Sequence, residues 1–370
     1  MKKEKVFIGL SGGVDSSVSA ALLKKDGYEV VGVFIKVWQP DFFACTWKED
    51  RLDAMRVAAK LNIPFLTLDL EKEYKKEVID YMISEYKNGR TPNPDVMCNK
   101  HVKFGAFLDF ALKNGADFVA TGHYARVESR ELKVESKNKG SQEYQLLAGV
   151  DKEKDQSYFL WTIKKGLLPK ILFPVGGYKK TEVRALAKKY NLITWEKKDS
   201  QGLCFVGKLD IKDFLKHYIK EKKGNLLNEN GEIIGYHSGA IFLTEGERHN
   251  FVVTKKTNSK ETPPQYVVSK NLKNNTVTVS PFPKKSHGLS KIVRLNDFNL
   301  IESDIKIGEK LDARTRYREK LSPCSLVGID LSKKTVEIRF NKEKLVSTGQ
   351  SLVLYKKDVC VGGGVIVEKN

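Results

Sequence analysis

The stretch Lys5-Val6-Phe7-Ile8-Gly9-Leu10-Ser11-Gly12-Gly13-Val14-Asp15-Ser16-Ser17 decides the fold of the first half of the chain. A short apolar run enters a glycine turn. Val14, Val18, Ala21 and Leu22 then recur at helical spacing. The reading is strand, loop, helix. Working outward, Glu29–Lys36, Pro64–Leu70 and Asp117–Thr121 look like buried strands. Leu52, Met55 and Ala59 mark an amphipathic helix between two of them, and Phe104–Lys113 and Thr181–Tyr190 read as further helices. Strands alternating with helices imply a parallel sheet covered on both faces.

The glycine turn is built for an anion. Gly12 and Gly13 let the backbone fold tightly and approach a ligand. Ser11, Ser16 and Ser17 add hydroxyls, and the positive end of the following helix points at the loop. The Walker A pattern is absent. The motif Ser-Gly-Gly-Val-Asp-Ser resembles the pyrophosphate loop of the PP-loop ATPases, which cleave ATP between the α- and β-phosphates and adenylate a carbonyl oxygen. That resemblance leaves the substrate open. It implies that Asp15 helps to organise Mg²⁺, directly or through water; the plain alternative is a helix cap.

A chain of 370 residues suggests two or three domains. The formal net charge is +19, which suits either a lysine-rich solvated surface or a polyanionic partner. No run is long enough for a membrane helix. Lys2-Lys3 precede only the short apolar run Val6–Leu10, too short for a signal peptide, so a cytoplasmic protein with no membrane partner is expected. The five cysteines, Cys45, Cys98, Cys204, Cys324 and Cys360, are widely spaced and include no Cys-x-x-Cys. That excludes a disulfide scaffold and a zinc ribbon, and the scattered histidines give no metal site.

The pattern changes after about Phe205. Ile211–Glu221 looks helical. Short alternating segments follow at Phe251–Lys255, Tyr266–Ser269, Thr276–Ser280, Lys291–Arg294, Ser325–Asp330, Thr335–Phe340, Ser351–Tyr355 and Gly364–Val367. Their density predicts β-barrels or small sandwiches, with a break near Pro281–Gly288. The polar stretch Lys133–Glu143 reads as an exposed loop or hairpin.

Two cysteines sit in polar surroundings. Cys98 follows Arg90-Thr-Pro-Asn-Pro-Asp-Val-Met, near the expected start of a helix and beside Lys100 and His101, a setting that favours the thiolate. Cys204 lies in Asp199-Ser-Gln-Gly-Leu-Cys-Phe-Val-Gly207, where Lys197 and Lys198 could act likewise. Cys45, Cys324 and Cys360 read as small buried apolar residues. Two reactive thiols beside an adenylating loop suggest sulfur transfer.

With these motifs in place the chain resembles, from end to end, the tRNA-specific 2-thiouridylases, which thiolate the wobble uridine of certain tRNAs. The resemblance rests on Gly9–Ser17, Asn93–Asn99, Ala120–Arg126, Lys154–Leu160, Asp199–Gly207, Arg316–Arg318 and the tail motifs around Gln350 and Cys360. It implies an α/β fold: a doubly wound parallel-sheet PP-loop domain over 1–206, a central tRNA-binding module over 207–284 and a C-terminal β-barrel over 285–370. It implies that Gly9, Leu10, Ser11, Gly12, Gly13, Val14, Asp15, Ser16, Ile35 and Gly122 hold ATP. Cys204 would carry a persulfide and Cys98 would resolve it. Asn93, Pro94 and Asp95 would meet the target base, with Asp95 as candidate acid or base. His123, Lys154, Asp155, Gln156, Arg316, Tyr317 and Gln350 would contact tRNA through its anticodon stem-loop, and Arg314 and Arg318 would join them in a basic groove. A persulfide donor, such as a cysteine desulfurase or sulfur-relay protein, would be a partner.

Two positions depart from the family pattern: Ile35 stands where methionine is common, and Thr348 where many members have proline. Two rival readings remain from the sequence. One is an amidating PP-loop synthetase; the other is a non-catalytic tRNA-binding protein that kept the fold.

Overall fold

The computed structural model describes residues 3–42, 47–131, 142–199, 210–255, 263–282, 289–302 and 305–369. Val6, Phe7 and Ile8 are buried on both faces, which makes β1 (Lys5–Gly9) the centre of a sheet rather than an edge. It leads into α1 (Val14–Lys25) and β2 (Glu29–Lys36). Next come α2 (Trp47–Lys60), β3 (Phe65–Asp69) and a composite helix: α3 (Glu71–Tyr74), a π-helical stretch Lys75–Asp80 and α4 (Tyr81–Lys87). A second composite helix joins α5 (Pro94–Met97), the π-helical stretch Cys98–Phe107 and α6 (Leu108–Lys113). It is followed by β4 (Phe118–Ala120), the hairpin β5 (Ala125–Glu131) and β6 (Gln142–Ala148), β7 (Ile171–Leu172) and α7 (Lys180–Lys189).

The parallel sheet has the order β3-β2-β1-β4-β7. Strand order reverses between β1 and β4, and that crevice at the carboxyl ends is where open α/β sheets bind ligands.

The helix α2 forms where expected, but its buried face is Ala54, Val57 and Ala58. Leu52 and Met55, expected to face the core, are each 38% exposed. Small side chains win that face because α2 lies close to the glycine loop: a Cβ on Gly12 would stand 2.3 Å from the Asp50 carbonyl oxygen. The helix expected over Ile211–Glu221 is shorter, α8 (Ile211–Lys216), capped by Asp210, whose carboxylate accepts from the Lys212 and Asp213 N–H groups.

The central module is a five-stranded sheet of β8 (Gly224–Leu227), β9 (Ile233–His237), β10 (Phe251–Val253), β11 (Tyr266–Asn271) and β12 (Thr276–Ser280), in the order β10-β9-β8-β12-β11. Six strands then close a barrel: β13 (Leu289–Leu300), β14 (Lys310–Arg314), β15 (Ser322–Asp330), β16 (Thr335–Leu345), β17 (Ser351–Lys356) and β18 (Val359–Lys369). Pairing of β13 with both β16 and β18 closes it, which removes the open edges. Val293, Leu326, Ile338 and Leu354 fill its interior.

The modules are not separate bodies. The β5–β6 hairpin, whose tip lies outside the described residues, extends the barrel sheet through β6 and β18. Ile301, Val353, Tyr355 and Cys360 of the barrel share one apolar cluster with Phe104, Tyr158 and Trp161 of the first half. Cys324 and Cys360 are buried as expected, and burial pushes the Cys324 thiol up to about 12. Cys45 lies outside the described residues.

Candidate active site

The phosphate loop sits at the crevice between β1 and β4. Leu10 and Val14 are buried, so of these two residues the backbone is what the loop offers to a ligand. Gly12 has φ +74°, a conformation that only glycine adopts without strain. Ser16 Oγ accepts from the Ser11 N–H at 3.2 Å, and Ser17 Oγ donates to the Gly13 carbonyl at 2.7 Å. Gly13 stands at the N-cap of α1 without a side-chain acceptor, leaving the first turn turned toward an anion. Gly122, just past β4, closes the site from the other side: a Cβ there would lie 2.7 Å from the Ser16 nitrogen and 2.8 Å from the Asp15 carbonyl carbon. Ile35 is buried in the core, so only its backbone could serve a nucleotide; the departure from methionine costs no contact of that kind.

Asp15 is paired within the protein. Its Oδ1 accepts from the Tyr124 hydroxyl at 2.7 Å, and Lys180 Nζ lies 2.7 and 2.8 Å from its two oxygens. Burial and the Asp15 charge push the Tyr124 hydroxyl far above its ordinary range, so it remains a donor. The same Lys180 reaches Asp199 Oδ1 at 2.8 Å. Lys154 and Arg184 also hold Asp199, at 2.6 and 2.8 Å. Burial would raise the Asp199 carboxyl, but hydrogen bonds from Lys154 and Lys180 outweigh it and hold it at about 2. No sequence motif marks Lys180, and Tyr124 lies within the Ala120–Arg126 motif without an assigned role, because their partner is far away in sequence.

The segment Thr91–Cys98 carries the second group of candidate residues. Asn93 is a helix N-cap: its Oδ1 accepts from the Val96 N–H at 3.3 Å, and Pro94 occupies the first turn. The helix therefore begins at Pro94, and Cys98 lies beyond its first turn, fully buried at 0% exposure. This corrects the expected electrostatics: the pull of a helix terminus fades within the first turn. Lys197, expected to favour a Cys204 thiolate, is instead bound to Asp50 and Asp53 at 2.8 and 2.7 Å. Cys204 itself lies outside the described residues.

Gln350 anchors this loop from the barrel. Its Nε2 donates to the Thr91 carbonyl at 2.9 Å and the Pro92 carbonyl at 3.3 Å, and the Thr91 N–H donates to the Thr348 carbonyl at 3.0 Å. Thr91 also meets Thr244 of the central module at 3.1 Å. All three modules thus converge on the turn that carries Asp95. Truncation to Gln350→Ala would leave two partly buried carbonyls without their donor, at a cost of about 1–3 kcal/mol. It should slow the reaction about tenfold or more through misplacement of the turn. Single-turnover kinetics together with tRNA-binding titration check this, with affinity expected to stay nearly unchanged.

The residues assigned to tRNA divide into two sets. Lys154, Tyr317 and Arg318 share one region: Arg318 Nε donates to the Glu153 carbonyl at 3.1 Å, its guanidinium stacks over Tyr317, and Tyr317 packs on Phe159 with ring centroids 4.7 Å apart. An exposed cation on an aromatic face suits unstacked bases and phosphates. The others are engaged within the protein, as is Lys154 through its pair with Asp199. Asp155, 1% exposed, accepts from the Gly149 and Ser157 N–H groups and pairs with Arg314 at 3.0 Å. Gln156 Oε1 accepts from the Tyr124 N–H at 3.0 Å. Arg316 donates to the Glu245 carbonyl.

His123 is 7% exposed, between Thr121 Oγ1 at 2.7 Å and Lys103 Nζ at 3.5 Å. A lysine ammonium only donates, so Nε2 accepts and the proton is assigned to Nδ1. Burial, with Lys103 adding to it, holds its pKa well below 6.5. An unfolded histidine takes up a proton near pH 6.5 that the folded one refuses, so stability is lost as pH falls below about 6.5, by about 1.4 kcal/mol per pH unit. Chemical denaturation of His123→Asn against the native protein at pH 5.5 and 7.5 should show a shallower slope in the variant, the remainder coming from the other histidines that burial lowers, His101 and His237.

Family models match three consecutive stretches: a tRNA methyl transferase HUP domain over residues 4–208, a tRNA methyl transferase PRC-barrel domain over 212–281 and an aminomethyltransferase beta-barrel domain over 290–366. A tRNA-specific 2-thiouridylase MnmA of Enterococcus faecalis is 41% identical over 369 residues, covering 98% of this chain and 95% of that protein. The chain belongs to the tRNA-specific 2-thiouridylase family. A 2-thiouridylase of Shewanella amazonensis is 42% identical over 368 residues, covering 98% of this chain and 94% of its own. Among solved structures, a U34-tRNA thiolase, NcsA of Methanococcus maripaludis, is 18% identical with a TM-score of 0.34, covering 59% of this chain and 67% of that one. Membership in the thiouridylase family gives the α/β fold, with its PP-loop sheet and barrel, its expected enzymatic setting. Among the described residues no helix is long and apolar enough to cross a membrane.

Proposed function

We propose that this protein is an ATP-dependent tRNA sulfurtransferase that converts the wobble uridine to 2-thiouridine. The observation that carries the reading is 41–42% identity to named 2-thiouridylases over 98% of the chain, joined to a chain that keeps both cysteine motifs. The uracil C2 oxygen attacks the α-phosphorus of ATP, and pyrophosphate leaves. The terminal sulfur of a Cys204 persulfide then attacks C2, and AMP carries the oxygen away. Cys98 thiolate attacks the Cys204 sulfur; that S–S bond breaks, its electron pair stays with the sulfur on C2, and a Cys98–Cys204 disulfide remains. A thiol reductant resets the enzyme.

Within this reading the loop Gly9–Ser16 and Gly122 hold the ATP phosphates, the Ile35 backbone meets the adenine, and Asn93, Pro94 and Asp95 receive the base, with Asp95 moving a proton. Asp15 would help to organise the Mg²⁺ that accompanies ATP, directly or through water, from a carboxylate that Tyr124 and Lys180 hold in place. Lys154, Tyr317 and Arg318 grip the anticodon stem-loop, while His123, Asp155, Gln156, Arg316 and Gln350 shape the surface beneath it. The target base must leave the anticodon stack, as enzymes acting on bases require. The sulfur donor is a persulfide-bearing protein of the cysteine desulfurase or sulfur-relay kind, and the reaction belongs in the cytoplasm. The test is incubation with ATP, unmodified tRNA and a low-molecular-weight persulfide. AMP and 2-thiouridine should appear together; AMP-free tRNA binding would instead favour a non-catalytic binder.

A further inference from the structure

Lys180 is the first residue of α7, and its side chain is only 11% exposed. Its ammonium is shared between two carboxylates of different origin. Asp15 belongs to the phosphate loop, and Asp199 ends the described stretch five residues before Cys204 in the sequence. The Lys180 backbone is itself fixed, since its N–H donates to Asp151 Oδ2 at 2.9 Å. Tyr124 closes the arrangement from β4's side of the crevice through its bond to Asp15.

The stretch Trp195–Asp199 is tied down at Trp195, Lys197 and Asp199. Arg184 donates to the Trp195 and Lys197 carbonyls, at 3.0 Å for Trp195 and 3.2 Å for Lys197. Lys197 is bound to Asp50 and Asp53 of α2, whose first turn packs on Gly12. Asp199 takes three cations: Lys154 belongs to the region assigned to tRNA, while Arg184 and Lys180 belong to α7, and Lys180 also contacts the phosphate loop through Asp15. Of these three only Lys180 also touches the loop that would hold ATP.

We infer that Lys180 is a positioning residue that joins the phosphate loop to the root of the Cys204 segment, so that nucleotide placement and sulfur transfer depend on one cation. The inference rests on the thiolation reading above. Removing the ammonium leaves Asp15 facing the phosphates with an uncompensated charge, and at the same time releases one of the ties on Asp199. Two effects on one residue follow: weaker ATP binding and slower sulfur transfer even when ATP saturates.

The test uses the full chain, ATP, unmodified tRNA and a low-molecular-weight persulfide. For Lys180→Met we expect KM for ATP to rise about tenfold and the single-turnover thiolation rate at saturating ATP to fall about 30-fold or more, the scale of a misplaced reacting group. Lys180→Arg keeps the charge and should restore the rate to within about fivefold. Asp199→Asn keeps the shape and leaves Asp15 paired, so the rate should fall about tenfold while KM for ATP stays within about threefold. Circular dichroism melts confirm that each variant folds, and Asp199→Asn decides the matter if Lys180→Met does not. A saturating-ATP rate for Lys180→Met or Asp199→Asn equal to the native one overturns the inference while native turnover stands. A native enzyme that makes no 2-thiouridine overturns the thiolation reading, and this inference with it.

Discussion

Replacing Cys98 with serine should abolish 2-thiouridine formation, by about 10³-fold or more, while tRNA affinity stays within about threefold. The side chain is fully buried at the junction of α5 and the π-helical stretch, packed in the main apolar cluster. Serine matches its size, so the helix that starts at the Asn93 cap should persist, with a stability loss of about 1–3 kcal/mol for a newly buried hydroxyl. What serine cannot do is attack a sulfur at neutral pH. No substitute stands by among the described residues: Cys324 and Cys360 are buried in the barrel, and burial pushes both thiols well up. Cys204→Ser should be equally inactive, but the two variants should differ at an earlier step. Cys204→Ser would accept no persulfide, whereas Cys98→Ser would accept it and leave tRNA covalently attached. Nucleoside mass spectrometry and a non-reducing gel distinguish them, and full 2-thiouridine formation by either variant sinks the assignment of both cysteines.

Gly122→Ala should cost about a hundredfold, through ATP alone. Gly122 lies outside the left-handed region, so alanine brings no backbone strain; the effect is one of space. The added methyl would meet the Ser16 nitrogen at 2.7 Å and the Asp15 carbonyl carbon at 2.8 Å, closer than real Cβ contacts. Both are backbone atoms of the first turn of α1, which cannot swing aside like a side chain. The loop must shift against β4, and a displacement on the scale of 1 Å in a positioning element lowers turnover by about a hundredfold. Overpacking itself should remove about 1–3 kcal/mol of stability. We expect kcat/KM for ATP to fall about a hundredfold while tRNA affinity in the absence of ATP is unchanged. Equal kcat/KM values for variant and native protein would mean that the loop does not hold the nucleotide.

The parts of this molecule that were legible in its sequence are those fixed locally. Glu29–Lys36 is β2 at both ends, because an unbroken apolar run between turn residues admits little else. The barrel strands were legible as strands but not in extent. Lys291–Arg294 grew into the 12-residue β13 and Gly364–Val367 into the 11-residue β18. Register shifts between Ser290 and Ile292 and between Asn296 and Asn299 interrupt the alternation that a sequence displays.

In the site, the glycine loop was readable because strand, turn and helix are contiguous. The environment of Cys98 was misjudged because the helix starts at the Asn93 cap and not at the cysteine. Lys180 was invisible, since nothing around it in sequence announces partners at Asp15 and Asp199. The charged residues near Lys154 showed the opposite effect. The family resemblance suggested RNA for Asp155, and positive charge suggested it for Arg314, yet the two pair with each other.

The apolar cluster that spans the first half and the barrel has a thermodynamic consequence. Three modules can be counted by homology, but Tyr158, Trp161, Val353 and Tyr355 belong to one buried volume. Tyr158 donates through its hydroxyl to the Thr315 and Ser351 carbonyls at 3.0 Å each, so prising the halves apart would strand polar groups as well as wet the cluster. A calorimeter should therefore register fewer melting units than there are modules. For the same reason the barrel is not an interchangeable cassette. A grafted barrel from a relative would carry new RNA contacts on one side and a mismatched half of the catalytic core on the other.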